Sequence, residues 1–142
     1  MKKTVILGIS FLFIAIMANA QTVVEASKQP VDSGNSIFSK VEFEAEFPGG
    51  SSGWIEYLQK NLKADVPVRK KAPNGTYKVI VRFIVSKDGT ISDIQPETDL
   101  GYGMEAEVMR VIRKGPKWIP AKQNGRPVNA YRRQPITFVV SG

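Results

Sequence analysis

Apolar and polar positions alternate most cleanly between Tyr77 and Val85. Tyr77, Val79, Val81, Phe83 and Val85 share one face, and Lys78, Ile80, Arg82 and Ile84 share the other. A period of two predicts a strand. Ser86-Lys87-Asp88-Gly89 then supplies a turn with a glycine able to take positive φ, and Thr90 to Gln95 returns as the hairpin partner until Pro96 closes it. Elsewhere the period changes to that of a helix. Trp54, Tyr57, Leu58, Asn61 and Leu62 fall at i, i+3, i+4, i+7 and i+8, which predicts an amphipathic first helix. Ser51 or Ser52 is the expected N-cap, and Glu56 and Lys60 pair on the outside at i, i+4. Pro67 is expected to end any continuation by pushing Val66 out of the α region.

Gly101-Tyr102-Gly103 leads into a second helix, Met104 to Lys114, with Met104, Val108, Val111 and Ile112 as its buried stripe. Glu105 and Glu107 stand in its first turn and Arg110, Arg113 and Lys114 towards its end, so both signs suit the helix dipole. Gly115 reads as the C′ residue and Pro116 as the stop. A last strand is expected from about Val128 to Val140, with Ile136, Phe138 and Val140 on one face and Pro135 confining it to an edge or a bulge. Val41 to Phe47 also alternates, as a short strand or an extended segment lying on the domain. These elements predict an α+β fold with two helices on one face of a small antiparallel sheet, expected to be three-stranded.

The 142 residues suggest one domain, preceded by material that does not belong to it. Lys2 and Lys3, the apolar run Val5 to Ala18 and the small-x-small site Ala18-Asn19-Ala20 read as a signal peptide over residues 1–20, leaving Gln21 as the mature N-terminus. The alternative is a retained membrane anchor, for which Thr4 to Ala20 only just reaches the ~17-residue minimum. Residues 21–45 are mostly polar and are expected to form a disordered leader, with the domain over residues 46–141.

Composition narrows the chemistry. With no Cys and no His, the chain can form neither a disulfide framework nor a lipoprotein anchor, and His-based acid–base catalysis, Cys nucleophiles and the common zinc sites are excluded together. Formal charge is +7, with 20 Lys and Arg against 13 Asp and Glu; without Lys2 and Lys3 it is +5. Eight of the basic residues lie between Gly101 and Gly142, against Glu105 and Glu107 alone. Export argues against nucleic acid as the partner of that face and leaves an acidic partner or plain solvation.

Asp88, Asp93, Glu97 and Asp99 lack the spacing of a calcium loop and read as turn and strand-end residues. Gly49-Gly50-Ser51-Ser52-Gly53 has no Lys-Ser/Thr after it and makes a poor phosphate loop; Gly101-x-Gly103 makes no better one. Trp118, between Pro116 and Pro120, reads as a core residue that fixes the chain as it leaves the second helix, and Trp54 reads the same way. No catalytic, metal or cofactor site emerges, and the expectation is a non-enzyme. What remains is backbone: a final strand containing Tyr131, Arg132 and Arg133, interrupted by Pro135, offers an edge to which an extended peptide can add. The competing reading is that Arg132 and Arg133 only guard that edge against aggregation.

The run Gly115-Pro116-Lys117-Trp118-Ile119-Pro120, the turns through Asn124-Gly125 and Pro127, the closing Gln134-Pro135-Ile136-Thr137-Phe138 and, upstream, Phe47-Pro48-Gly49-Gly50 together resemble the C-terminal domain of the TonB family. The resemblance covers Phe47 to Val140 and implies the same fold. It also implies a partner, a TonB-dependent outer-membrane transporter or related envelope protein, a short segment of which pairs with the last strand. On that basis the partner-binding residues expected are Tyr131, Arg132, Arg133, Gln134, Thr137 and Val139. Val66 and Pro67 join them, at the place of the family's Tyr-Pro pair, although the aromatic is absent here. Family transducers also carry an uncleaved N-terminal helix with a His and a long Pro-rich arm. This chain has no His and only Pro30 between Gln21 and Pro48, a stretch reaching about 95 Å at most. The expectation is therefore a periplasmic interaction module, with a short membrane-anchored transducer subunit as the alternative and a strand-exchanged homodimer as the oligomeric one.

Overall fold

The computed structural model describes residues 34–142; the signal-peptide reading and the first part of the leader lie outside the described residues. Eight elements follow in order: β1 (Ile37–Phe38), α1 (Gly50–Asn61), α2 (Val66–Arg69), β2 (Gly75–Val85), β3 (Ile91–Pro96), α3 (Met104–Lys114), β4 (Ala121–Gln123) and β5 (Arg126–Val140). The class is α+β. The sheet, however, is a mixed one of five strands, not three antiparallel ones: its order is β1-β5-β2-β3, with β4 also pairing β5. β1 runs parallel to β5, Ile37 opposite Asn129 and Phe38 opposite Ala130, while β4 folds back antiparallel on Arg126 to Val128. Strands of two and three residues are too short to show an alternation of their own.

β2 and β5 make the body of the sheet, paired without a slip from Gly75 opposite Val140 to Val85 opposite Ala130. Val79, Val81, Phe83 and Val85 of β2 and Val128, Ala130, Ile136, Phe138 and Val140 of β5 are all buried on one face. Met104, Val108 and Ile112 of α3 pack into that same core. The hairpin of β2 and β3 forms as expected, with a shift of register between Arg82 and Ile84. Its turn is tied to the chain beyond α3. Gly89 takes φ 86°, the Trp118 amide donates to its carbonyl at 3.0 Å, and a Cβ added there would stand 2.2 Å from the Trp118 carbonyl oxygen. Only glycine tolerates both demands.

The fold takes in residues ahead of Glu46. Beyond β1, the extended segment 43–46 forms a strap along residues 119–122: the Phe43 and Lys122 backbones exchange two hydrogen bonds (3.2 and 2.9 Å), and so do Glu46 and Ile119 (3.0 and 2.8 Å). The strap carries Ala45 and Phe47 into the core. Residues 37–45 are thus part of the packed structure; single apolar residues among polar ones escaped a reading based on composition.

Three local expectations are corrected. The N-cap of α1 is Gly49 in the left-handed region, without a side-chain cap bond. The Gly50 amide instead donates to Phe47 O at 2.8 Å, so the Pro-Gly-Gly turn starts the helix and leaves Ser51 and Ser52 inside its exposed first turn. Pro67 does not end a helix; it stands in the first turn of α2, where a missing amide is no loss. Helix α1 stops earlier, at the extended Leu62. Gly115 is the C-cap of α3 with φ −70° and ψ 174°, so the helix ends by turning directly into extended chain.

Candidate functional site

The long strand β5 has two neighbours at its start and one at its end. β4 covers Arg126 to Val128 and β1 covers Asn129 and Ala130; beyond them, among the described residues, only β2 pairs with it. The direction of its free groups follows from the hairpin. Ile80 directs its amide to Thr98 Oγ1 (3.2 Å), and its carbonyl accepts from the Glu97 amide (2.8 Å), both on the β3 side. In an antiparallel ladder, opposed residues face each other or turn away together. Pro135, opposite Ile80, therefore turns its backbone to the open side, and so do Arg133, Thr137 and Val139 at a spacing of two. The proline ring sits where no ladder bond with β2 is needed, as its chemistry requires. Its carbonyl accepts from Gln134 Nε2 at 3.2 Å. Val139 is 69% exposed, a large apolar side chain left at the end of this edge.

Six of the expected binding residues are thus brought together on one strand. Tyr131 is half-buried where the pairing with β1 ends, with the Arg82 guanidinium 4.8 Å from its ring centre. Arg132 donates to Glu44 at 3.1 Å and lies 6.0 Å from the Trp118 ring; Arg133 donates to Glu97 at 2.6 Å. Gln134 is buried and accepts from Arg132 at 3.4 Å, while Thr137 is exposed. Both arginines are thus held by carboxylates of this chain, which lowers the net positive field they offer. Val66 and Pro67 are placed differently. They lie in α2, against α3 and β5, with Val66 9% exposed and Pro67 fully buried; the exposed apolar residue of that helix is Val68.

Beside the edge, on the helix-bearing side of the sheet, lies an open cleft of about 280 Å³ between the strap and α1. Phe47, Trp54, Ile55 and Trp118 supply its apolar walls, with Glu44, Glu46, Arg132 and Gln134 around them. Trp54 packs at 5.2 Å from Phe47 and 5.6 Å from Trp118, so it belongs both to the core and to the cleft. Ile55 is exposed and off the helix stripe. An exposed isoleucine beside a tryptophan was the sequence signal for this cleft, and it passes for an ordinary surface residue without the strap. A second concavity, on the helix-free face, is lined by Ser39, Glu44, Arg82 and Tyr131 to Arg133.

The acidic residues of the hairpin have partners within the chain. Asp88 accepts from the Thr90 amide at 3.0 Å, a bond that holds its carboxyl below the usual range, and Glu97 pairs with Arg133. Among the described residues, no group of three or more His, Cys, Asp or Glu could hold a metal ion, and no helix is long and apolar enough to cross a membrane. What the arrangement offers is an unpaired backbone edge between an apolar cleft and a basic face.

Comparison with known proteins agrees with this architecture. The family model described as Gram-negative bacterial TonB protein C-terminal matches residues 68–140, from α2 through β5. Neither the curated proteins nor the solved structures include a match to the chain. With half of its length matched, including the hairpin, α3 and the whole open strand, the chain belongs to the TonB C-terminal family, the non-catalytic interaction domains of Gram-negative envelope proteins in TonB-dependent transport.

Proposed function

We propose that this protein is a periplasmic module that binds an extended segment of a partner by strand addition along Arg133 to Val139. The partner is an outer-membrane transporter of the TonB-dependent class or a related envelope protein, and residues 1–20 are removed on export. One observation carries the reading: among the described residues, β5 is paired on one side only over its last ten residues, with backbone groups of Arg133, Thr137 and Val139 turned outward. Main-chain bonds to such an edge give affinity, and side-chain pockets on either face give selectivity.

Thr137→Pro tests it. Thr137 turns its amide away from β2, so the substitution removes an edge donor and no bond of the existing ladder. The variant should keep the parental fold and bind a peptide from the periplasmic segment of such a transporter at least tenfold more weakly. In the parent, that peptide should slow amide exchange at Arg133, Thr137 and Val139 and little elsewhere. Protection confined to other strands, or unchanged affinity in Thr137→Pro, would remove the edge from the binding site. Protection that rises with protein concentration without peptide would give the edge to a second copy of the chain.

A further inference from the structure

Arg82 stands on the helix-free face of β2, directly opposite Arg133 on β5. The pair is of the closely spaced kind, since Ile80 and Pro135, two residues along, also turn their backbones away from each other. Like charges in that position repel, and sheets normally avoid them. Arg133 is compensated by Glu97 from the β3 side. Arg82 has no ion pair among the described residues; its guanidinium lies over the Tyr131 ring, and its Nε, like that of Arg132, is buried without a hydrogen-bond partner. A guanidinium carries five donors in a planar fork, and a single buried donor without an acceptor, such as this Nε, carries an energetic cost.

The position of that group matters as much as its charge. By reaching over Tyr131, the Arg82 guanidinium sits above β5, one strand nearer to the open edge than its own backbone. A strand added to the edge would run about 4.8 Å beyond β5, with alternate side chains on this face. The concavity lined by Ser39, Glu44, Arg82 and Tyr131 to Arg133 lies there, where β1 leaves the sheet, with the Glu44 carboxylate already paired to Arg132.

We propose that Arg82, with Arg133, forms a carboxylate-binding subsite that takes an Asp or Glu side chain of the added strand. This rests on the strand-addition reading and specifies its partner: an extended segment with an acidic residue turned to the helix-free face. A carboxylate accepts two parallel bonds from one guanidinium, which provides acceptors for Arg82 and offsets the opposed charges in one contact. The own-chain carboxylates at Arg132 and Arg133 leave Arg82 as the guanidinium that discriminates.

The probes are synthetic nine-residue peptides of alternating Val and Thr, each with one Asp at a different position, and their Asn counterparts, titrated into the full chain by calorimetry. At least one Asp peptide should bind about tenfold or more tightly than its Asn counterpart, the scale of a charged hydrogen bond. Arg82→Gln should abolish that difference by weakening the Asp peptide far more than the Asn peptide; Arg133→Gln should reduce it in part and serves as a second reading if Arg82→Gln folds poorly. No Asp peptide preferred over its Asn counterpart, no binding by any of the set, or a preference that survives both substitutions would overturn the subsite. Thr137→Pro separates the two claims. It should weaken Asp and Asn peptides alike and preserve their ratio, so a lost ratio with the Thr137 effect intact rejects only the carboxylate subsite. A ratio that depends on Arg82 with no effect of Thr137→Pro rejects only strand addition.

Discussion

Trp118 joins more of the molecule than any other side chain in the segment between α3 and β4. It is 4% exposed, and its ring centre lies 5.0 Å from Phe83, 5.6 Å from Trp54 and 5.7 Å from Phe47, so strap, first helix and sheet all lean on it. Trp118→Ala should cost about 3–5 kcal/mol, from lost transfer energy and the cavity left behind. That is a large share of the stability of a domain this small. A denaturant titration checks it; an unshifted midpoint would mean that the indole holds nothing together. This residue was legible in the sequence because an aromatic between two prolines, just after a helix stop, has few roles besides fixing the chain. Arg82 was not. An arginine on the outward side of a strand reads as solvent-facing, and only the register that sets it against Arg133 and over Tyr131 gives it a task.

At the scale of elements, Glu107 and Arg110 clamp α3 to the end of α1. Glu107 accepts from the Lys63 amide at 2.8 Å and from Arg110 through two bonds of 2.6 and 2.9 Å, and Arg110 also donates to Asn61 O, at the close of α1, at 2.8 Å. Burial would push the Glu107 carboxyl up. The Arg110 bonds, the Lys63 amide and both charges outweigh it and hold the carboxyl below its ordinary value. The folded group is thus the stronger acid. Its contribution is complete above the unfolded pKa, near 4.5, and is lost as pH falls through the lower folded value. Glu107→Gln should cost about 1–3 kcal/mol at pH 7, because the Arg110 and Lys63 donors lose their charged acceptor. The deficit should shrink at an acidic pH well below 4.5, as the parent carboxyl protonates in turn. Denaturant midpoints at the two pH values measure it, and a deficit constant between them would assign the loss to packing. In the sequence, Glu107 reads only as a first-turn acid suited to the helix dipole. Its 6% exposure and its bond to another helix are facts of packing.

For the whole molecule, the question is where the folding unit begins. The core contains Ala45 and Phe47 from the strap, with Trp54, Tyr57 and Leu58 of α1 packed against it, all ahead of α2. A chain cut to residues 68–140 should therefore fail to unfold cooperatively, whereas residues 34–142 should unfold in one cooperative transition. Calorimetry of the two fragments decides it, and a cooperative transition in the shorter one would make strap and first helix accessory. Long elements were determined by local pattern. The strand from Tyr77 to Val85, its hairpin turn, the helix from Met104 to Lys114 and the α+β class all follow from periods of two and 3.6 sustained over many residues. The five-stranded mixed sheet, the strap, the Pro-Gly-Gly start of α1 and the proline-started α2 were decided by tertiary structure. The two- and three-residue strands are held from elsewhere in the chain, β1 by β5 about ninety residues away and β4 by β5 together with the strap, so no local signal announces them. The same holds for the open edge: Pro135 told that part of β5 lies outside a closed ladder, but which side is free depends on how β1, β2 and β4 divide its length.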